Sequence, residues 1–223
     1  METDLLSQIR YGGIMYILLV IAITMHEYGH ALAADKLGDP LPRLHGRVSI
    51  NPLVHMDMLG TVILPLITIA MSVGMSFPMV FGWGKPVITQ APSGKNAMKV
   101  DLLSTAGGVA MNLVVAFISA VLLGILAIFG LKDFVEIAMY SIMINCVLFV
   151  INMIPVPPLD GSRFLKYAVN MSDELYMRIS QWGIVILIVL INIPLTMNII
   201  HAIVSALTGG FLIVSNIIFQ LSQ

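Results

Sequence analysis

Charged residues and cysteines are both scarce in this chain. Only 10% of the 223 residues are charged, whereas 58% are hydrophobic, and the mean hydropathy is +0.97. This composition excludes an ordinary soluble domain and is typical of a polytopic membrane protein. The formal net charge of −1 provides no basic surface, so we expect no nucleic-acid partner. The single cysteine, Cys146, excludes an internal disulfide, and its apolar surroundings predict a buried thiol.

The first apolar run contains charges that need an explanation. Residues 11–34 are predicted to form a membrane helix, because an apolar stretch of this length can cross a bilayer. The run nevertheless includes His26, Glu27 and His30, and ionisable groups at membrane depth usually mark a working site. Residues four apart lie on the same face of a helix. This H-E-x-x-H spacing therefore predicts two zinc ligands and a carboxylate that takes a proton from water. A surface helix could carry the pattern by chance, but the lipid-compatible turns before it argue against that.

A third zinc ligand is expected far along the chain, because catalytic zinc sites usually have three protein ligands. The best candidate is Asp160, which follows three prolines within the segment 152–161. Irregular backbone at membrane depth is tolerated where it is buried in protein or lines a watery cavity. Alone, Asp160 would be interpreted as the N-cap of a helix that begins near Gly161. Beside the H-E-x-x-H motif, we interpret it as the third ligand of one zinc ion per chain.

The two motifs together resemble the site-2 protease family of intramembrane zinc metalloproteases. That family pairs H-E-x-x-H in one membrane helix with a distant N-x-x-P-x-x-P-L-D-G element in another, and residues 26–30 and 152–161 match these in order. Residues 31–40 continue the first motif as the family does, and further matches at 46–52, 55–61 and 81–87 resemble the branch without a PDZ domain. The chain differs from the family at one signature. Where the family has G-P-x-x-N, this chain has Gly108 and Asn112 with Val109 in place of the proline.

The expected chemistry is hydrolysis of a peptide bond. Zinc held by the three ligands lowers the pKa of a bound water to about 7, and Glu27 takes its proton and later returns it to the leaving amine. The oxyanion that forms needs a hydrogen-bond donor. Asn152 is the first candidate and Asn112 the second, since each amide offers two donors. The alternative for both is interhelical hydrogen bonding, which membrane helices also use asparagine for.

The distribution of apolar segments predicts an all-α polytopic membrane protein with about five to six membrane segments. We expect a single integral-membrane domain over residues 1–223, with a catalytic core at about 11–170 and C-terminal helices at about 175–220. The apolar segments are 11–34, 58–81, 100–130, 135–154, 179–193 and 195–219. Pro194 separates or kinks the last two.

The segment 58–81 is predicted to be re-entrant, entering and leaving the membrane on one side. Both of its flanks are basic, and a full crossing would place one of them outside, against the usual bias. The flanking cations are Lys36, Arg43, Arg47, Lys85, Lys95 and Lys99. Pro65, Gly74 and Pro78 could break the segment into two short arms. A tilted full span is the alternative, since the run is long enough to cross.

Two short runs beside this segment predict a small β-hairpin element near the active site. Residues 43–50 place apolar side chains on one face at period two, and residues 87–89 form a second β-prone run. A helical substrate protects its own carbonyls, so it must unwind before it is cut. A strand pair could hold the unwound chain by edge pairing. An ordinary surface hairpin without a substrate role is the alternative.

These patterns favour an intramembrane zinc metalloendopeptidase. Its substrate would be a membrane protein, cut within or next to a transmembrane segment as in regulated intramembrane proteolysis. A catalytically silent relative that binds membrane helices is a second hypothesis, and the intact His26, Glu27, His30 and Asp160 argue against it. A zinc transporter is the third, but a transporter has no need of a general base such as Glu27.

Basic residues also predict where the protein lies and how it is oriented. Cations follow both the H-E-x-x-H helix and the segment that carries Asp160, and such loops usually face the cytosol. We therefore expect a multi-pass protein of the plasma membrane, embedded in the lipid bilayer, with its site opening toward the cytosol.

Overall fold

The computed structural model describes residues 5–72, 80–89 and 97–222. Its α-helices are α1 (Leu5–Lys36), α2 (Leu41–Leu44), α3 (Leu64–Met71), α4 (Ala97–Ile128), α5 (Lys132–Asn152), α6 (Gly161–Ala168), α7 (Asp173–Ile191) and α8 (Pro194–Gln220). Among the described residues, five helices are long and apolar enough to cross a membrane: α1, α4, α5, α7 and α8. The predicted all-α polytopic class is confirmed, and Pro194 begins α8 as a proline at the first helical position can.

α1 and α4 pack against each other in opposite directions. The carbonyl of His30 accepts a hydrogen bond from the Ser104 hydroxyl at 3.1 Å, whereas the Asn112 amide reaches back to the Ala22 carbonyl at 3.4 Å. The later residue of α1 therefore meets the earlier residue of α4. The end of α1 and the beginning of α4 lie at the same end of the bundle, which we call the site end.

α5 returns beside α4 and brings the chain back to the site end. The Asn112 amide donates to the Asn145 side chain at 3.1 Å, and the hydroxyls of Ser119 and Ser141 lie 2.8 Å apart. This pairing shows that α4 and α5 are antiparallel. Cys146 is completely buried in the same region, so the predicted buried thiol is confirmed.

α6 and α7 fix the loop that follows α5. Arg163 and Tyr167 of α6 both bond to Asp101 of α4, the tyrosine hydroxyl at 2.8 Å. The hydroxyls of Ser162 and Tyr176 lie 3.0 Å apart and join α6 to α7. These contacts hold the loop containing Asp160 over the site end.

The chain between α1 and α4 leaves the site end and returns to it. A π-helical turn (Met58–Ile63) and α3 run along α1 toward its N-terminus, where Ile69 packs against Gly12. Pro65 lies in the first turn of α3, where the N–H that proline lacks needs no partner. Gly74 and Pro78, which were predicted to break this segment, lie outside the described residues, as does Lys95.

Residues 80–85 form the returning arm. The backbone N–H of Trp83 donates to the Gly60 carbonyl at 3.0 Å, and that of Lys85 donates to the His55 carbonyl at 2.8 Å. Phe81 lies beside Thr68, so the described residues 81–85 run back toward the site end, antiparallel to the outgoing arm. This geometry supports the predicted re-entrant course of residues 58–81.

The predicted β-hairpin does not form from residues 43–50 and 87–89. The first run begins inside α2, and within the described residues β pairing is limited to one antiparallel bridge between Met56 and Gly84. Pro42 favours a helical first turn over a strand. Pro86 has no N–H to donate at the start of the second run.

Cysteine labelling tests this topology. In a Cys146→Ser background, we expect His45→Cys and Lys85→Cys to react from one face of the membrane and Lys132→Cys, between α4 and α5, to react from the other. All three side chains are exposed. The measurement is labelling by a membrane-impermeant maleimide in sealed vesicles, before and after permeabilisation. Reaction of His45→Cys and Lys85→Cys from opposite faces would show a full span.

Candidate metal centre

α1 places His26 and His30 next to each other, one helical turn apart. Their Nε2 atoms lie 3.0 Å apart, and their rings meet edge to face with centroids 4.5 Å apart. The two residues lie inside a helix that can cross a membrane, and His26 is buried. The side-by-side arrangement predicted from the spacing is confirmed.

Asp160 reaches both histidines from the loop that follows α5. Its Oδ2 atom lies 3.2 Å from the Nε2 atom of His26 and 3.2 Å from that of His30. Asp160 occupies the N-cap position of α6, but its side chain makes no capping hydrogen bond and faces the two histidines instead.

The hydrogen atoms of the two imidazoles lie away from this meeting point. The Nδ1 atom of His30 is 2.9 Å from the Ser104 backbone carbonyl, and that of His26 is 2.8 Å from the Oδ1 atom of Asn112. Both oxygens can only accept, so in neutral rings the hydrogens lie on Nδ1 and both Nε2 atoms carry lone pairs. These lone pairs converge on the carboxylate of Asp160, whose buried Oδ2 has no hydrogen-bond partner among the described residues.

Three converging lone pairs repel one another unless a cation lies among them. In a tetrahedral zinc site with bonds of about 2.0–2.1 Å, neighbouring ligand atoms are about 3.3 Å apart. The observed separations of 3.0 and 3.2 Å are close to that value. His26, His30 and Asp160 therefore have the chemistry and the spacing of a three-ligand zinc site.

Glu27 lies between α1 and the returning arm. Its side chain is buried, and it packs against the backbone of Gly84, where a Cβ atom would lie 2.9 Å from the glutamate Cγ. Its Oε2 atom lies 3.9 Å from the nearest guanidinium nitrogen of Arg47. The predicted general base is thus covered by protein and paired with a cation.

Arg47 is a site residue that the sequence did not reveal as one. The pattern of charges marks it only as a flanking cation, but its side chain is buried and donates to the backbone carbonyls of Val54 and Lys85. It therefore joins the two flanks of the re-entrant segment beside Glu27. Its position within the 46–52 match was the signal that could have identified it.

The two asparagines proposed as oxyanion donors differ in the structure. Asn112 is completely buried, and its amide N–H groups donate to Asn145 and to the Ala22 carbonyl. These bonds match the interhelical alternative, and the oxyanion role of Asn112 stays a prediction. Asn152 donates to the Leu148 carbonyl at 3.0 Å and is only partly buried at the end of α5. Its role as an oxyanion donor stays a prediction.

Comparison with known proteins covers both halves of this site. Residues 130–193, which include α5 and Asp160, match the sequence model of peptidase family M50. Over 214 residues the chain is 30% identical to the Bacillus subtilis (strain 168) protein named "Putative zinc metalloprotease YwhC", and the alignment covers 92% of each chain. The chain belongs to peptidase family M50, the site-2 protease family.

A second relative supports the M50 assignment. The Mycolicibacterium smegmatis protein named "Putative zinc metalloprotease Rip2" is 28% identical over 200 residues, which are 86% of this chain and 72% of the relative. No solved structure matches the chain. The YwhC alignment is long enough to include the histidines of α1 as well as Asp160, so the family predicted from the two motifs is confirmed.

The glycine of the third M50 signature brings α4 onto the metal centre. Gly108 faces His30, and a Cβ atom at this position would overlap the imidazole ring. Gly29 and Gly107 let the same two helices pack backbone against backbone, since a Cβ atom on Gly107 would lie 2.6 Å from the Gly29 carbonyl oxygen. Val109, in place of the signature proline, lies within α4 without interrupting it.

Gly108→Ala is expected to weaken zinc binding about ten- to a hundredfold, because the added methyl group displaces His30 from its position. Gly124→Ala is the matched control, since Gly124 is also tightly packed in α4 but faces α8, with a Cβ atom placed 2.7 Å from the Ser215 carbonyl oxygen. Competition with a chelator on the detergent-purified chain measures both affinities. Equal zinc affinities in the two variants would show that Gly108 does not shape the metal centre.

Proposed function

We propose that this M50 chain is an intramembrane zinc metalloendopeptidase that cuts a membrane-protein substrate within or next to a transmembrane segment. The observation that supports this most strongly is the meeting of two imidazole Nε2 atoms and one carboxylate oxygen within 3.2 Å. The meeting point lies beside a buried glutamate, on a helix long and apolar enough to cross a membrane.

A few residues would carry out the hydrolysis of the peptide bond. His26, His30 and Asp160 would hold one zinc ion, which when bound acidifies a water molecule and polarises the carbonyl of the scissile bond. Glu27 takes a proton from the attacking water and delivers it to the leaving amine. Because Glu27 is covered by the returning arm, its carboxylate is shielded from bulk water other than the attacking molecule.

The returning arm offers an edge on which an unwound substrate could pair. The N–H groups of Trp83 and Lys85 are used within the re-entrant segment. Those of Gly82 and Gly84 alternate with them and have no hydrogen-bond partner among the described residues. Gly84 also contacts Glu27. We assign substrate pairing to this edge, in place of the runs 43–50 and 87–89, because an extended substrate held there would pass the general base.

The same proposal includes an orientation. The site end carries most of the basic residues outside the long helices' apolar stretches, and the positive-inside tendency places such an end in the cytosol. The cations at this end include Lys36, Arg43, Lys85, Lys99, Arg163 and Lys166. The metal centre would then open toward the cytosol from the plasma membrane.

Cleavage by the purified full chain tests this function. The metal is removed with a chelator, zinc is restored, and the protein is reconstituted with a panel of tagged single-span membrane proteins. We expect zinc-dependent fragments whose new termini map within or next to the transmembrane segment, as located by mass spectrometry. Fragments that map only to soluble domains would contradict the proposal. Zinc uptake into the vesicles without any cleavage would indicate a transporter instead.

A further inference from the structure

A chain of buried hydrogen bonds links a backbone carbonyl of α5 to the metal centre. It runs from Ser141 through Asn145 and Asn112 to His26, and thus connects three helices. The exposed fraction is 1% for Asn145 and 0% for Asn112. Polar groups buried this deeply are costly unless they are hydrogen-bonded, so the direction of each bond is constrained.

The first bond fixes the orientation of Asn145. The Ser141 carbonyl can only accept, and the nitrogen of the Asn145 amide lies 2.9 Å from it. Asn145 must therefore present its NH₂ group to Ser141. Its oxygen is then left facing Asn112.

The second step fixes the orientation of Asn112 in the same way. The Asn145 oxygen and the Ala22 carbonyl can only accept, and they lie 3.1 and 3.4 Å from the amide nitrogen of Asn112. Asn112 must present its NH₂ group to both. Its own oxygen is therefore turned toward His26, 2.8 Å from Nδ1.

The last step reaches the metal ligand. An oxygen facing Nδ1 requires the hydrogen of the neutral His26 ring to lie on Nδ1, which leaves the lone pair on Nε2, the atom aimed at His30 and Asp160. A flipped Asn112 would present its NH₂ group to Nδ1 and place the ring hydrogen on Nε2, where it blocks metal binding. We propose that Asn145 is a positioning residue that, through Asn112, sets the tautomer of His26 and so the affinity for zinc.

His30 needs no such support. Its Nδ1 donates to the backbone carbonyl of Ser104, which cannot flip. The relay therefore acts on one of the two histidines only. This inference rests on the proposed zinc site, and it adds a residue that lies in neither the H-E-x-x-H motif nor the segment 152–161.

The test compares Asn145→Leu with Ser141→Ala in the purified full chain. Asn145→Leu keeps the side-chain volume but removes the nearer of the two acceptors that orient Asn112, at 3.1 Å against 3.4 Å for the Ala22 carbonyl, so we expect zinc affinity to fall about ten- to a hundredfold in chelator competition. The absorption spectrum of bound Co²⁺ should change as well, because a ligand is weakened. Ser141→Ala breaks the buried bond to Ser119 but keeps the backbone carbonyl, so its zinc affinity and Co²⁺ spectrum should match the parent chain.

A second background separates positioning from general destabilisation. In Asn112→Asp, either carboxylate oxygen can accept from Nδ1 of His26, so orientation no longer matters, and adding Asn145→Leu should then change zinc affinity less than twofold. Equal losses in both backgrounds, or an unchanged affinity in Asn145→Leu alone, would overturn the relay. A parent chain that binds no zinc would instead overturn the proposed function and the relay with it.

Discussion

Glu27→Gln is expected to abolish cleavage while leaving zinc bound. Glutamine has the shape of glutamate, and residue 27 supplies none of the three ligand atoms, so the ligand set is unchanged. An amide cannot take the proton of the attacking water, and loss of a general base typically lowers the rate about 10²- to 10⁴-fold. The measurement is the rate of fragment formation from a cleaved membrane substrate, with metal content determined on the same preparation.

Glu136→Gln is the matched control for this substitution. Glu136 is also an acid in a membrane helix, but it lies near the start of α5, away from the site end, where it accepts a hydrogen bond from Tyr140 at 3.0 Å. We expect parental cleavage from this control. Cleavage by Glu27→Gln at a rate within a few-fold of the parent would rule out the assigned base.

Asp160→Ala should remove the metal itself. His26 and His30 alone leave a two-ligand site, and catalytic zinc sites have three protein ligands with no spare. Zinc affinity is expected to fall by more than about a hundredfold. This exceeds the loss that is typical when a hydrogen-bond partner of a metal ligand is replaced, and cleavage should be lost as well. Zinc content after purification, together with chelator competition, measures the effect.

Asp173→Asn controls for the loss of an acid near the same loop. The Asp173 carboxylate is bonded to Lys166, and its side chain is 89% exposed, so it should not affect zinc binding. Retention of full zinc occupancy by Asp160→Ala would place the third ligand elsewhere in the chain. Retention of zinc together with loss of cleavage would show that the carboxylate serves the reaction rather than the metal.

The sequence predicted those parts of the site that depend on local geometry. His26 and His30 are four residues apart on one helix, so helical periodicity alone places their rings together. Asp160 was predicted over a long separation because a catalytic zinc needs a third ligand and because the segment 152–161 resembles a family element. The all-α class followed from the length of the apolar runs.

The parts of the site that could not be predicted depend on contacts between distant segments of the chain. Arg47 has the composition of a loop cation, and only the packing of the returning arm shows that its charge is buried beside Glu27. The orientation of Asn112 depends on Asn145, a partner on another helix that no local pattern identifies. The β-prone runs failed because residues 43–50 begin inside a helical turn, which alternation of apolar side chains does not exclude.

The separation of the ligands along the chain has a consequence for biosynthesis. His26 and His30 emerge from the ribosome early, whereas Asp160 follows about 130 residues later. At about 5–20 residues per second, this delay is on the order of ten seconds. During that time the two histidines share the bilayer with the helices of their own chain that have already been inserted. They still lack the carboxylate that completes the metal centre. The proposed protease would therefore stay inert toward membrane helices until its own core helices have been inserted.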